Sequence, residues 1–102
     1  MKARRDVYQA IADPTRRAIV DMLASQPHNM NAIADQFSMT RQAISLHVKI
    51  LAACGLVSMK RAGREHICEV KLDALSEVDA WISQYRKHYE DKLDNLNKYL
   101  QT

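Results

Sequence analysis

Residues 40–57, TRQAISLHVKILAACGLV, read as one helix with a signal at each end. Thr40 can cap the first turn with its hydroxyl, and Gly55 can take the left-handed conformation that stops a helix. At about 100° per residue, Ile44, Val48 and Leu51 fall in one narrow arc and form the buried seam. The opposite arc carries Gln42, Ser45, Leu46 and Lys49, with Arg41 at its N-terminal edge and His47 on one flank. No Asp or Glu interrupts the stretch.

The neighbouring segments give that helix its setting. Ser38, Met39 and Thr40 form a short connector, and before them a brief helix runs through Ile33, Ala34 and Phe37. Two helices joined so tightly, the second bounded on both sides, match the helix-turn-helix unit. Further upstream, Gln26-Pro27-His28-Asn29 reads as a loop. Before it, a helix over residues 15–25, with Asp13 as cap and Pro14 in its first turn, turns Ile19, Met22 and Leu23 inward. The first helix is expected over residues 4–12, with Val7, Tyr8 and Ile11 on one side.

Downstream of Gly55 the period changes from helix to strand. Residues 56–60 and 65–70 read as two strands around Arg61-Ala62-Gly63-Arg64, a basic, glycine-containing hairpin tip. A hairpin appended to a helix-turn-helix is its winged version. Residues 73–101 then form one long helix, on which Leu75, Ile82, Tyr89 and Leu96 repeat at sevens and Val78, Tyr85 and Tyr99 follow in the paired position, broken by Lys92. Trp81, Leu93 and Leu100 widen that stripe beyond what one small domain can cover, so part of it is expected to meet a second copy.

The expected architecture is mainly α with a small β-hairpin, in the order α-α-α-α-β-β-α, as a single domain over residues 1–102 whose last helix, from about residue 73 to 101, meets a second copy. On that helix the expected interface comprises Trp81, Ile82, Tyr85, Tyr89, Leu93, Leu96 and Leu100.

With 47% hydrophobic residues and only two Gly and two Pro among 102, the composition is that of a folded, helix-rich chain. No run approaches the roughly 18 apolar residues of a membrane span, and the N-terminal residues lack the apolar core of a secretory signal. A cytoplasmic location, free thiols at Cys54 and Cys68, and no membrane partner are the expectations. The formal charge of +3 is unevenly spread: residues 1–66 carry ten Lys or Arg against five acids, while residues 67–102 carry five against seven. A polyanionic partner suits the first part.

The acid-free helix has the chemistry of a major groove. Gln pairs with adenine N6 and N7, Arg with guanine O6 and N7, Ser with several edges, and an apolar side chain meets the thymine methyl. Arg41, Gln42, Ser45 and Leu46 are therefore the expected base contacts. Thr40, His47 and Lys49 are expected at phosphates, while Lys60, Arg61, Arg64 and His66 on the wing are expected to lie along the backbone or to enter the adjacent minor groove.

Four segments carry a family resemblance: IADPTRRAIV at 11–20, RQAISLHVKIL with CGLV at 41–51 and 54–57, RAGREHICEV at 61–70, and the aromatic tail at 76–100. Together they resemble the ArsR-type (ArsR/SmtB) winged helix-turn-helix repressors, in the subgroup without the metal-binding cysteine motif. The resemblance implies a homodimer joined through its first and last helices, which adds Val7, Tyr8 and Ile11 to the interface, bound to an inverted-repeat operator in double-stranded DNA and repressing transcription. It also places Arg41, Gln42, Ser45 and Leu46 at the bases and Arg64 at the backbone, Leu46 standing where polar or basic residues are more usual.

Metal, redox and catalytic readings find little support. The short helix over residues 31–37 has no Cys or His, and His88 lacks a His partner at helical spacing, so no tetrahedral ligand set emerges and no metal or cofactor is expected. Cys68 alternates with His66, Val70 and Leu72 on one strand face, and both cysteines are expected in the core. There is no Gly-rich phosphate loop and no flanked nucleophile, so an enzyme is not expected. Two other readings stay open: a winged helix that has lost DNA binding and holds a protein partner, and a repressor answering an unidentified small-molecule effector in a pocket lined by Trp81, Tyr85 or Tyr89.

Overall fold

The computed structural model describes residues 6–101. Its elements are α1 (Val7–Ala10), α2 (Pro14–Ser25), β1 (His28–Asn29), α3 (Met30–Phe37), α4 (Arg41–Ala53), β2 (Val57–Ala62), β3 (Glu65–Val70), a 3-10 turn over Leu72–Leu75, and α5 (Ser76–Gln101). The expected first helix is confined to one turn within the described residues, and residues 4 and 5 of its expected span lie outside them.

Side-chain caps set most helix starts. The Asp6, Asp13, Asn29 and Thr40 side chains accept the backbone N–H of Gln9, Arg16, Ala32 and Ala43, respectively, each three residues on. The ends of α1 and α2 are linked by arginines: Arg16 donates through Nε to the Ala10 carbonyl at 2.7 Å and through its terminal nitrogen to Gln9, and Arg17 donates to the Ile11 carbonyl at 2.8 Å. These bonds satisfy carbonyls that a one-turn helix leaves without partners. Asp13 is held below the usual carboxylate range, first by the Arg16 N–H it accepts and then by the Arg16 and His47 charges, against an opposing effect of burial.

A carboxyl depressed in the folded state stabilises the fold above its unfolded value, near pH 4, and loses that contribution as pH falls through the lower folded value. Asp13→Asn keeps a capping oxygen but cannot titrate. Urea denaturation is expected to find Asp13→Asn less stable than the parent at pH 7, with the gap closing as the pH drops below 4.

The core is a single cluster. Ile19 and Leu23 of α2, Ile33 of α3, Ile44, Val48 and Leu51 of α4, Leu56, Val57 and Cys68 converge there, with Val7 and Ala10 closing it from α1. The seam of the acid-free helix is thus the expected one. Two expectations need correction. Val7 is only 3% exposed and belongs to this chain's own core, so it is not presented to a partner, while Tyr8 and Ile11 are half-buried at its margin. Cys54 is half-buried, its Sγ donating to the Leu51 carbonyl, whereas Cys68 is fully buried and burial pushes its thiol pKa up.

The sheet is also larger than a hairpin. His28 and Asn29, expected in a loop, form β1 and pair antiparallel with Cys68 and Ile67, giving three strands in the order β1-β3-β2. Strand β2 runs two residues further than expected, so the turn is Gly63-Arg64 alone, with Ala62 opposite Glu65 and Gly63 at φ 64°. Glycine at the first position of a two-residue turn carries the positive φ that hairpin twist demands.

Between α4 and β2 the chain turns within three residues. Gly55 takes φ 85°, its N–H reaches the Ala52 carbonyl at 3.1 Å, and the Leu56 N–H reaches Leu51 at 3.0 Å. These are the two bonds of a Schellman stop. Leu56 is fully buried, and its own carbonyl accepts the Lys71 N–H at 2.7 Å.

Candidate nucleic-acid interface

The connector from α3 to α4 begins at Ser38, a non-glycine residue at φ 52°. Its left-handed turn lets the Met39 N–H return to the Ala34 carbonyl at 3.1 Å, which ends α3 abruptly and sets α4 off in a new direction. Burial of Ile44, Val48 and Leu51 then fixes the rotation of α4 about its axis. The opposite face points away from the core, and Arg41, Gln42, Ser45, Leu46 and Lys49 line one open depression of about 450 Å³ on it. Leu46 is 64% exposed and gives this face its one large apolar side chain.

Of the residues expected at DNA, these five are brought together. Thr40 stands beside them, exposed, with its hydroxyl oxygen accepting the Ala43 N–H at 3.1 Å and its hydroxyl hydrogen left to donate. His47 is a correction. Its side chain is 21% exposed and turned toward α2, with Nδ1 buried, without a hydrogen-bond partner, and 4.0 Å from the Asp13 carboxylate. Its neighbour is the N-cap acid of α2, off the open face that the other α4 residues line.

The wing projects beside α4. Arg61, Arg64 and His66 are exposed, and Lys60 is exposed but 4.0 Å from Glu69, which also lies 3.7 Å from Lys71. Such exposed pairs hold their partners weakly, by about 0 to 1 kcal/mol, so Lys60 stays available to another anion. Arg64 and His66 share a small notch with Arg41, Asn29, Asn31 and Glu65, where the wing meets the start of α4. Asn29, Asn31 and Glu65 were not among the expected site residues. An Asn just before an apolar-periodic segment was the available signal for the first of these.

Helix α5 has no buried residue. Trp81, Ile82, Tyr85, Tyr89, Leu93 and Leu96 form a stripe along it, each 45% or more exposed, and Tyr99 and Leu100 extend the stripe. Its first turns meet α1: the Tyr8 hydroxyl donates to the Glu77 carbonyl at 3.1 Å, and the Tyr8 and Trp81 rings meet edge to face at 6.1 Å. Burial, with the Glu77 and Asp6 carboxylates, pushes the Tyr8 phenol pKa up, keeping it the donor.

Among the described residues no helix is long and apolar enough to cross a membrane, and no group of three or more His, Cys, Asp or Glu is placed to hold a metal.

A family model described as a helix-turn-helix domain matches residues 11–59, from the end of α1 into β2. The transcriptional repressor SdpR of Bacillus subtilis is 30% identical over 80 residues, which span 78% of this chain and 89% of that protein. Among solved structures, an ArsR-like transcriptional regulator from Rhodococcus sp. RHA1 superposes with a TM-score of 0.73 at 25% identity, covering 93% of this chain and 87% of the other. A homodimeric winged helix-turn-helix DNA-binding domain from Mycobacterium bovis shares the fold, with a TM-score of 0.65 at 23% identity over 84% of this chain and 80% of its own.

Proposed function

The chain belongs to the ArsR-type winged helix-turn-helix transcriptional regulators, and from that premise we propose that it is a homodimeric, cytoplasmic repressor whose two α4 helices read an inverted-repeat operator. The observation that carries this reading is the outward face of α4, which is open, free of acids, and held away from the core by a fully buried seam. Gln42, Ser45 and Leu46 are the base-facing set, with Arg41 at their N-terminal rim. Lys49, Thr40 and the wing residues Lys60, Arg61, Arg64 and His66 position the helix against phosphates. It acts as a regulator and not as a catalyst.

A second copy covers the α5 stripe. Monomers rarely leave so long an apolar strip in water, and a matching α5 laid against it buries both at once. The groove between Trp81 and Tyr89, about 400 Å³, lies on the same strip, so the partner helix and not a small effector fills it. Two recognition helices related by a two-fold axis then enter major grooves about one turn of DNA apart.

Mobility shift with the chain's own promoter region tests the proposal. A retarded band at low salt that weakens steeply as salt rises is expected, because phosphate contacts release counterions. No shift at any salt concentration would reject DNA reading and favour a winged helix that binds protein. Point variants separate the roles. Gln42→Ala or Ser45→Ala should lower preference for the native site over random duplex by about 1 to 3 kcal/mol per lost base contact, while Arg64→Ala should weaken both duplexes alike. Equal losses on both duplexes for every variant would contradict the assignment.

A further inference from the structure

Asn29 joins the wing to the helix-turn-helix. It ends β1, so beyond its pairing with Ile67 the hairpin has no third strand beside β3. Its side chain works in two directions. Oδ1 accepts the Ala32 N–H at 2.7 Å and starts α3, which leaves Nδ2 to donate to the Glu65 carboxylate at 3.3 Å. Glu65 is the first residue of β3, directly after the turn. One amide thus ties the tip-side end of the wing to the helix-turn-helix. The notch beside that tie has a volume of about 30 Å³, and Arg41 of α4, Arg64 of the turn and His66 of β3 line it. Guanidinium forks match a phosphate in shape and charge, and two of them border a space the size of one or two phosphate oxygens.

We infer that this notch takes a single phosphodiester of the DNA backbone between recognition helix and wing, and that Asn29 and Glu65 are positioning residues that hold the wing at the height the shared contact needs. The inference rests on the reading of α4 as the DNA-facing helix, and it assigns Arg41 to the backbone instead of to a guanine. Glu65 explains itself on this view. It is the one acid in the cationic zone over residues 36–66, and its repulsion of phosphate is tolerated because its hydrogen bond fixes Arg64 in place.

The test compares variants of the full chain on a promoter duplex and on a random duplex of equal length, with thermal melting alongside. Asn29→Asp keeps a good helix cap but turns the Glu65 partner from donor to acceptor. It should melt near the parent temperature yet bind the promoter about tenfold more weakly, the worth of one misplaced charge-assisted contact. Adding Glu65→Gln to Asn29→Asp supplies a donor from the other side and should restore binding. In the parent background, Glu65→Gln retains an oxygen for Asn29 and removes a negative charge, so it should bind more tightly than the parent; Glu65→Ala removes both and should fall about tenfold below Glu65→Gln. The pair Arg41→Ala with Arg64→Ala should lower the slope of log K against log salt by about 0.9 for each notch, one phosphate's worth.

Equal affinities for Glu65→Ala and Glu65→Gln, or no rescue of Asn29→Asp by Glu65→Gln, would overturn the tether. A slope change of two phosphates per notch, or a loss on Arg41→Ala confined to the promoter duplex, would overturn the shared contact. If the parent chain itself shifts no duplex, the functional reading fails first, and that outcome is distinct from either.

Discussion

Tyr85→Glu is expected to turn the proposed dimer into a monomer and to lower its affinity for the promoter duplex by about 10² to 10⁴-fold, the advantage lost when two linked half-site contacts become independent. Tyr85 lies on the uncovered stripe of α5, 55% exposed in the single chain, with its ring 5.7 Å from that of Trp81. Nothing in the core depends on it, so the circular dichroism spectrum should remain that of a folded chain. A carboxylate placed there stays hydrated in the monomer but would have to be stripped of water against a partner helix. Sedimentation velocity at micromolar concentration reads the first effect and mobility shift the second. A variant that still sediments as a dimer and binds at full strength would mean that α5 does not join the two copies.

Leu51→Ala is expected to cost about 2 to 5 kcal/mol in chemical denaturation, because it removes a fully buried side chain from the centre of the seam and the surrounding core closes the gap only in part. Leu46→Ala, five residues earlier on the same helix, should stay within about 0.5 kcal/mol of the parent, since Leu46 faces water. On the proposed reading its effect falls on DNA binding instead. The contrast checks the rotation of α4 directly. If Leu46→Ala proved the more damaging to stability, the face assigned to bases would be the buried one.

The rotation of α4 was legible because every signal that sets it is local: a capping hydroxyl at Thr40, a period of 3.6 in Ile44, Val48 and Leu51, and a glycine at the stop. What the sequence hides is contact between segments far apart in the chain. His47 sits on the flank of the helical wheel, as expected, but the carboxylate facing it comes from residue 13, and no spacing rule links the two. His28 and Asn29 show no strand alternation and are a strand only because β3 offers an open edge. The apolar side of the first helix could be counted but not divided between this chain's core and a partner. Val7 went to the first, and Tyr8 divides its ring and hydroxyl between Trp81 and Glu77. The wing's basic character was evident, while the amide that anchors it lay in a segment read as a loop.

The three-residue joint after α4 has a consequence for how the protein meets imperfect sites. Two hydrogen bonds and a fully buried Leu56 pin the turn from α4 into β2, so the base of the wing is fixed to the helix while its tip-side end depends on the Asn29 tie. An operator whose halves are one base pair too far apart presents its second half rotated by roughly 35° about the DNA axis. In the proposed dimer that error would fall on the duplex or on the α5 seam between the two copies, so tolerance of half-site spacing would be set at that seam.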